Sequence, residues 1–232
     1  VRRINVPLAW EGKTLRDLNA DVRARIAACT RAGLRNGRME FAYTEDQQAF
    51  ADSARALFAD YCSDEALRAH DGGAEPFMRT LWAQCTATGM HAVLVGEAHG
   101  GLGQGVCELA AVLEEQGRAL ALVPLAEHQL AAAALERHAP QAADEIVRAA
   151  AAGGQLLTLS LDAVPAALGP QITARRAGAA LVLDGRAHAV PLAAQSDAAL
   201  LPVRLDGGLR LVHRRLRRRR PLDDRVHGGG GG

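Results

Sequence analysis

The chain has 232 residues and a mass of 24.4 kDa, with 49% hydrophobic and 23% charged side chains. This length and composition allow one large domain or two small ones, and they exclude a wholly disordered chain, collagen and a small disulfide scaffold. The formal net charge is only +1, but residues 1–38 carry a net +6, residues 213–232 a net +5 and the residues between them a net −10. This asymmetry divides the chain into three pieces.

The first piece, residues 1–38, is basic. Apolar residues at spacings of three and four predict a helix over residues 14–29. The hydrophobic pattern becomes much stronger from Met39 onwards. We therefore interpret residues 1–38 as an extension of uncertain origin and Met39 as the natural start.

The second piece begins with residues 39–153, which have the period of amphipathic helices. Thr44, followed three positions later by Gln47, predicts a capping box at the start of the first helix, which ends near Ser63. Four further helices are predicted, over residues 75–88, 106–116, 125–137 and 141–151. Gly89 is expected to take the left-handed conformation that ends the second helix.

An extended run at residues 91–95 and a glycine-rich loop at 96–105 are predicted between the second and third helices. Gly101 and Gly103 open a GxG motif of the kind that cradles phosphates in dinucleotide-binding folds. The third glycine of that fingerprint falls on Val106, and no βαβ unit surrounds it. The loop therefore does not predict dinucleotide binding of this type.

The hydrophobic period changes from about 3.6 to about 2 near residue 153. Six short strands are predicted, over residues 155–161, 171–174, 179–183, 188–192, 198–204 and 209–212. Residues 184–185 and 206–208 are expected to form hairpin turns. The predicted fold class is α+β, with an all-α helical domain over residues 39–153 followed by a small, incomplete antiparallel β domain over residues 154–212.

The third piece, residues 213–232, has a run of arginines, no hydrophobic period and five terminal glycines. It is compatible with an altered reading frame or truncated gene, a solvated charged tail, or a nucleic-acid-binding patch. Clustered guanidinium groups bind phosphates, but no aromatic residue is interleaved to stack on bases, which weighs against nucleic acid. We favour the altered frame, because one lysine against 26 arginines indicates a GC-rich coding sequence.

The cysteines and the apolar runs bear on location. The four cysteines occur singly, without CxxC pairs, and are interpreted as small buried hydrophobes in a reducing compartment rather than as metal ligands. No apolar run approaches the ~18 residues of a membrane span, and the N-terminus lacks a secretory pattern. We expect a cytoplasmic protein without a metal site or membrane association.

Three histidines and a pair of adjacent glutamates are interpreted as structural or solvent-exposed residues rather than as catalytic groups. His99 is interpreted as a structural loop histidine without an identifiable partner. His128 and His138 border a helix and are expected to face solvent. Adjacent residues on a helix point about 100° apart, so Glu114 and Glu115 are not expected to form an acid–base pair.

Four motifs follow one another at characteristic spacing: TEDQ at 44–47, LW at 81–82 with Gly89, GEAHGGLG at 96–103 and EEQGRAL at 114–120. In order and spacing they resemble, over about residues 40–154, the N-terminal helical domain of the acyl-CoA dehydrogenase family. The strand-rich segment that follows lies where the resemblance places that family's middle β domain.

The resemblance implies FAD-dependent α,β-desaturation of an acyl-CoA thioester, in fatty acid or steroid side-chain degradation. In the family, a glutamate removes the α proton while the β hydride passes to the flavin. The reduced flavin passes its electrons to an electron-transfer flavoprotein. The implied cofactor is therefore FAD, and the implied partners are the acyl-CoA substrate, the electron-transfer flavoprotein and further subunits in a homo- or hetero-oligomer.

The resemblance also points to site residues. Four of them lie in the segment that the family places beside the acyl tail: Leu122, Val123, Pro124 and Leu125. Simple helix packing is the alternative. Thr158 and Ser160 are the candidate flavin ligands, with ordinary strand residues as the alternative. The family's two flavin-contact motifs correspond to residues 161–168 and 185–191, where their glycine, lysine, aromatic and hydroxyl residues are replaced and Pro191 stands at the last position.

The family's C-terminal four-helix bundle, which carries the usual catalytic glutamate, has no counterpart in this sequence. No catalytic residue is therefore assigned. We predict a dehydrogenase-like flavoprotein fragment that is inactive alone. The alternative is a non-catalytic partner subunit, because some members of the family work as unlike pairs in which one chain has lost its flavin site.

Overall fold

The computed structural model describes residues 34–35, 38–39, 42–160, 171–178 and 180–216. The helix predicted over residues 14–29, the segment 161–168 and the end of the chain from residue 217 lie outside the described residues.

The helical part begins after a short antiparallel pair of strands, β1 (Leu34–Arg35) and β2 (Arg38–Met39). Six α-helices follow in the described residues: α1 (Glu45–Tyr61), α2 (Asp64–Asp71), α3 (Arg79–Ala87), α4 (Val106–Arg118), α5 (Leu125–His138) and α6 (Asp144–Ala151). Two 3₁₀ turns, Met90–Ala92 and Glu97–His99, lie between α3 and α4.

Local signals in the sequence set the ends of two helices. The Thr44 hydroxyl accepts from the Gln47 N–H at 3.2 Å, and the Gln47 side chain accepts from the Thr44 N–H at 3.1 Å, so the predicted capping box is confirmed. Gly89 has a φ of +75° after α3, as predicted. Residues 91–95 were expected to be extended, and this is wrong, because a 3₁₀ turn follows Gly89 directly.

The sequence prediction missed α2. Its N-terminus is capped by Ser63, whose hydroxyl accepts from the Ala66 N–H at 3.2 Å. No residue of α2 is buried. With eight residues and Leu67 as its only large apolar side chain, α2 is too short for a helical period to be recognised.

The strand-rich part forms a five-stranded sheet of described strands: β3 (Leu157–Leu159), β4 (Ile172–Ala177), β5 (Ala180–Gly185), β6 (Ala198–Leu205) and β7 (Gly208–Arg215). β6 is central. It pairs antiparallel with β7 along its whole length, and in parallel with β3 at one end and β4 at the other. The predicted α+β class is confirmed, but the sheet is mixed rather than purely antiparallel, because long connections separate β3 and β4 from β6.

The turns and strand ends of the sheet differ from the prediction in three places. Residues 206–207 form the expected turn between β6 and β7, with both residues at positive φ as a type I′ turn requires. The β4–β5 hairpin turns instead around Gly178, and residues 184–185 end β5. Residues 188–192 were predicted to be a strand but form a loop that enters a turn. β7 continues to Arg215, three residues past its predicted end.

Three apolar clusters form the core of the part of the chain that the structure describes. One joins α1, α3 and α4 around Phe58, Leu81 and Val112. A second packs α5 and α6 against β3 and one face of β6, and the third covers the other face of β6. Because β6 is buried on both faces, its sequence is almost continuously apolar. No helix among the described residues is long and apolar enough to cross a membrane.

Candidate functional site

The turn between α4 and α5 is held from inside by a side-chain amide. Gln116, on α4, donates to the carbonyl oxygens of Ala121 at 3.0 Å and Val123 at 2.7 Å. The Met78 N–H donates to the Leu122 carbonyl at 2.8 Å. Leu120 has a φ of +52°, a left-handed conformation that costs free energy in a residue with a Cβ. The turn is therefore a fixed feature rather than a loose connection.

The predicted acyl-tail residues lie in this turn, but they divide into two groups. Leu122 is 50% exposed, and its neighbour Leu120 is 66% exposed. Val123, Pro124 and Leu125 are buried, and Val123 and Leu125 belong to the core between α1, α3 and α4. Only Leu122 of the predicted four presents its side chain to the exterior.

The glycine-rich loop after α3 is attached to the rest of the helical domain by a carboxylate. Glu136, on α5, accepts from the Gly96 N–H at 3.0 Å and contacts Nδ1 of His99 at 2.7 Å. The other ring nitrogen of His99 lies 3.1 Å from a carboxylate oxygen of Asp144, on α6. His99 therefore has two partners, which the sequence analysis missed because they lie far along the chain.

Glycine is required at one position of this loop. A Cβ on Gly101 would overlap the backbone of Val95, so the two chain segments approach each other as only glycine permits. The loop backbone is hydrogen-bonded back to the same segment, with the Gly103 N–H donating to the Val95 carbonyl at 2.7 Å. These contacts make the loop a packed unit.

Of the two glutamates of the EEQGRAL motif, Glu115 is buried and Glu114 lies at the surface. Glu115 is 3% exposed and accepts from Arg55 on α1 at two points, 2.9 and 3.1 Å, and from Arg118 at 2.6 Å. Hydrogen bonding to Arg55 holds the pKa of Glu115 below its usual value. Glu114 instead bonds the Tyr43 hydroxyl and Arg118 at the surface. The Arg118 guanidinium binds both carboxylates, Glu115 from the buried side and Glu114 at the surface.

The candidate flavin ligands are both buried. Thr158 is 1% exposed, and its hydroxyl donates to the Pro191 carbonyl at 2.7 Å. Ser160 is 7% exposed, and its N–H donates to the Leu200 carbonyl at 2.9 Å as it continues the pairing of β3 with β6. A side chain that contacts a cofactor is exposed when the cofactor is absent. The Thr158 hydroxyl, as placed, is occupied by Pro191 and does not fit a flavin.

A pair of buried histidines joins the helical domain to the sheet. His128 was expected to face solvent, and this is wrong, because it is fully buried. Its Nδ1 accepts from the Leu157 N–H of β3 at 3.1 Å. Its ring stacks on that of His91 at 5.7 Å between centroids, and Trp82 meets both rings edge-on. Burial lowers the pKa of His128 to about 3 and also lowers that of His91. His91 was not recognised from the sequence.

No group of three or more histidine, cysteine, aspartate or glutamate side chains in the described part of the chain could hold a metal ion.

Comparison with known proteins shows which family this helical domain resembles. A family model described as "Acyl-CoA dehydrogenase, N-terminal domain" matches residues 44–154, which span α1 to the end of the helical domain. The domain over residues 44–154 is therefore an N-terminal domain of the acyl-CoA dehydrogenase type. The match includes the Gln116-supported turn, the glycine-rich loop and the buried Glu115.

Known members of the acyl-CoA dehydrogenase family resemble more of the chain. The acyl-CoA dehydrogenase FadE27 of Mycobacterium tuberculosis (strain ATCC 25618 / H37Rv) is 33% identical over 172 residues, which are 73% of this chain and 46% of the relative. The crystal structure of the ChsE4-ChsE5 complex from Mycobacterium tuberculosis is similar with a TM-score of 0.69 and 30% identity, over 76% of this chain and 49% of that one. A variant of the Tcur3481-Tcur3483 steroid ACAD has a TM-score of 0.68 and 29% identity, over 74% and 48%. The chain spans about half the length of these relatives.

Proposed function

We propose that this chain is a partner subunit of a heteromeric acyl-CoA dehydrogenase in which another chain of the family holds the FAD. The assembly would desaturate an acyl-CoA thioester between its α and β carbons. This chain would contribute its helical domain and the sheet that follows it.

The observation that carries the proposal is the hydrogen bond between Thr158 and Pro191. Pro191 stands where the family's second flavin motif has a hydroxyl residue, and proline has neither a side-chain donor nor a backbone N–H. The Thr158 hydroxyl uses its only proton on the Pro191 carbonyl, in a position that is 1% exposed. In this chain the last residue of the second flavin motif is therefore bonded to β3, and the Thr158 hydroxyl has no proton left to donate to a flavin.

The relatives support a heteromeric assembly. One is described as the ChsE4-ChsE5 complex and another as a Tcur3481-Tcur3483 steroid ACAD, so each name pairs two proteins. A chain that has lost flavin contacts keeps a use in such a pair if its partner retains them. When bound to the partner, FAD would supply the hydride acceptor, and an electron-transfer flavoprotein would reoxidise it.

The proposed substrate class is the CoA thioester of a bulky apolar acid, such as a steroid carrying an acyl side chain. The exposed Leu120 and Leu122 present apolar surface at the turn before α5. One relative is described as a steroid ACAD. Apolar side chains at this turn would contact the part of the acyl group that lies away from the thioester.

The test is to produce this chain alone and together with an acyl-CoA dehydrogenase chain from the same genome that retains the family's flavin motifs. Flavin content is measured in both preparations, together with desaturation of a steroid side-chain CoA thioester and of a straight-chain acyl-CoA. We expect no flavin on this chain alone, a stable pair that contains flavin, and faster turnover of the steroid thioester. Flavin on the isolated chain that is bleached by acyl-CoA would overturn the partner role. Preference for the straight-chain substrate would overturn only the substrate class.

A further inference from the structure

We infer that His91 and His128 form a proton-controlled latch between the helical domain and the sheet. In the neutral state, His128 holds the first residue of β3, and uptake of a proton by the pair releases that strand from the helices. The inference is independent of the proposed function, because it concerns only how the two parts of the chain are joined.

The partners of the two rings determine where their protons lie. A backbone N–H can only donate, so Nδ1 of His128, 3.1 Å from the Leu157 nitrogen, carries no proton. A carbonyl can only accept, so Nε2 of His91, 2.9 Å from the Ala151 oxygen, carries one. When both rings are neutral, each is therefore the Nε2–H tautomer. The remaining nitrogens, Nδ1 of His91 and Nε2 of His128, are buried and have no hydrogen-bond partner among the residues that the structure describes.

The two histidines reach across the junction in both directions. His128 extends from the first turn of α5 to the start of β3, next to the pairing of Leu157 with Ala198 of β6. His91 extends from the 3₁₀ turn after α3 to Ala151, the last residue of α6. The stacked rings thus connect four segments.

The surroundings contain little that would stabilise a charge. From α3 come Trp82, which meets the rings edge-on, and the backbone carbonyl of Cys85, which raises the pKa of His91. From α6 come the carbonyl of Ala151, which favours the charged form of His91, and that of Ala150, which favours the charged form of both histidines. Burial disfavours the charged forms more strongly and lowers both pKa values. β3 offers the Leu157 N–H. Among the described residues, neither ring is paired with a carboxylate, and the only other titrating group facing each histidine is its histidine partner.

Protonation breaks the junction for a simple geometric reason. A proton on Nδ1 of His128 would point at the Leu157 N–H, so an acceptor–donor pair would become two opposed donors. A second proton on His91 would place two cations in stacked rings whose centroids are 5.7 Å apart, with almost no water to screen them. Opening the junction lets both rings take up protons in water.

The sign of the pH dependence follows from linkage. The pKa of His128 is about 3 in the closed state, below its ordinary 6.5, so the open state binds more protons at intermediate pH. The closed junction is therefore stable above about pH 6.5 and weakens as the pH falls towards 3. Between about pH 8 and about pH 5, the opening equilibrium should shift by about 30-fold for His128 alone.

The experiment measures hydrogen exchange of the Leu157 amide in the full chain at several pH values, corrected for the intrinsic exchange rate. We expect about 30-fold loss of protection between about pH 8 and about pH 5. The amides of Phe58 and Val112, in the core between α1 and α4, should keep their protection. Nitrogen chemical shifts of the histidine rings should also show both buried rings as Nε2–H tautomers at neutral pH.

Two variants serve as matched tests. His128→Asn places a non-titrating oxygen near the position of Nδ1, so Leu157 should remain protected and its pH dependence should shrink to the part that His91 contributes. His70→Asn removes a half-exposed histidine on α2 and should leave the pH dependence as in the unaltered chain.

Three results would overturn the latch: unchanged protection of Leu157 on acidification, the same pH dependence in His128→Asn, or equal loss of protection at Phe58 and Val112. The last result would mean global acid unfolding instead of release at the junction. If His128→Asn does not fold, the tautomer measurement and the comparison of Leu157 with Phe58 in the unaltered chain still decide the question.

Discussion

Arg55 and Glu115 form a two-point ion pair that joins α1 to α4, with nitrogen–oxygen distances of 2.9 and 3.1 Å. Glu115 is almost completely buried, whereas the Arg55 side chain is half exposed. The pair lies at the helix contact that forms much of the first apolar cluster. Arg118 completes the partners of the carboxylate at 2.6 Å. One buried carboxylate therefore ties α1 to α4 and also binds Arg118 in its own helix.

The Glu115→Gln variant should be less stable, because it removes the charge that two guanidinium groups share. The pKa of Glu115 is lowered in the folded chain, so its contribution is present above the ordinary value of 4.5 and is lost as the pH falls through the folded pKa. Urea unfolding should show a lower free energy of unfolding for the variant than for the unaltered chain at neutral pH. This difference should become smaller at acid pH. Glu114→Gln is the matched surface control. A deficit of equal size at both pH values would contradict this role of the charge.

The Thr158→Val variant should lower the free energy of unfolding by about 1 kcal/mol, because it leaves the Pro191 carbonyl without its donor. Thr158→Ser keeps the hydroxyl and should retain most of this contribution. Denaturant unfolding of the three chains is the measurement. If Thr158→Val left the free energy of unfolding unchanged and Thr158→Ser lowered it, the stabilising contribution would come from packing of the threonine methyl group and not from the hydrogen bond.

The Gly101→Ala variant should destabilise the loop strongly, by about 2 kcal/mol or more, because its Cβ would overlap the Val95 backbone. Gly117→Ala is the opposite control, since nothing lies within 4 Å of an added Cβ at that position in α4. It should stabilise the helix by about 0.5–1 kcal/mol. Thermal unfolding should therefore shift in opposite directions for the two alanines, and a shift in the same direction would contradict the packing described for the loop.

Substitutions of Leu122 and Leu125 distinguish a role in acyl binding from a role in core packing. Leu125→Ala should cost about 2–5 kcal/mol of stability, because the side chain is fully buried in the first apolar cluster. Leu122→Ala should change stability by less than about 0.5 kcal/mol. In the assembled dehydrogenase, it should raise the KM for a bulky acyl-CoA more than that for a short one. An unchanged KM ratio would remove Leu122 from the proposed acyl surface.

The amino-acid sequence by itself determined the features that depend on neighbouring residues. Thr44 and Gln47 define a helix start because both halves of the capping box lie within one turn. Gly89 ends a helix because glycine adopts a positive φ at little cost. The ordered motifs over residues 44–154 were sufficient to predict the family and the α+β class, since each motif is a local pattern with fixed spacing.

Only the tertiary structure decided the features that depend on distant residues. The carboxylates that contact His99 lie on α5 and α6. His128 is buried because β3 and the His91 ring pack against it. The parallel pairing of β3 with β6 joins segments far apart along the chain. Hydrophobic period reports whether a residue faces a core, but it does not report which distant partner stands there, because that choice is made by long-range packing.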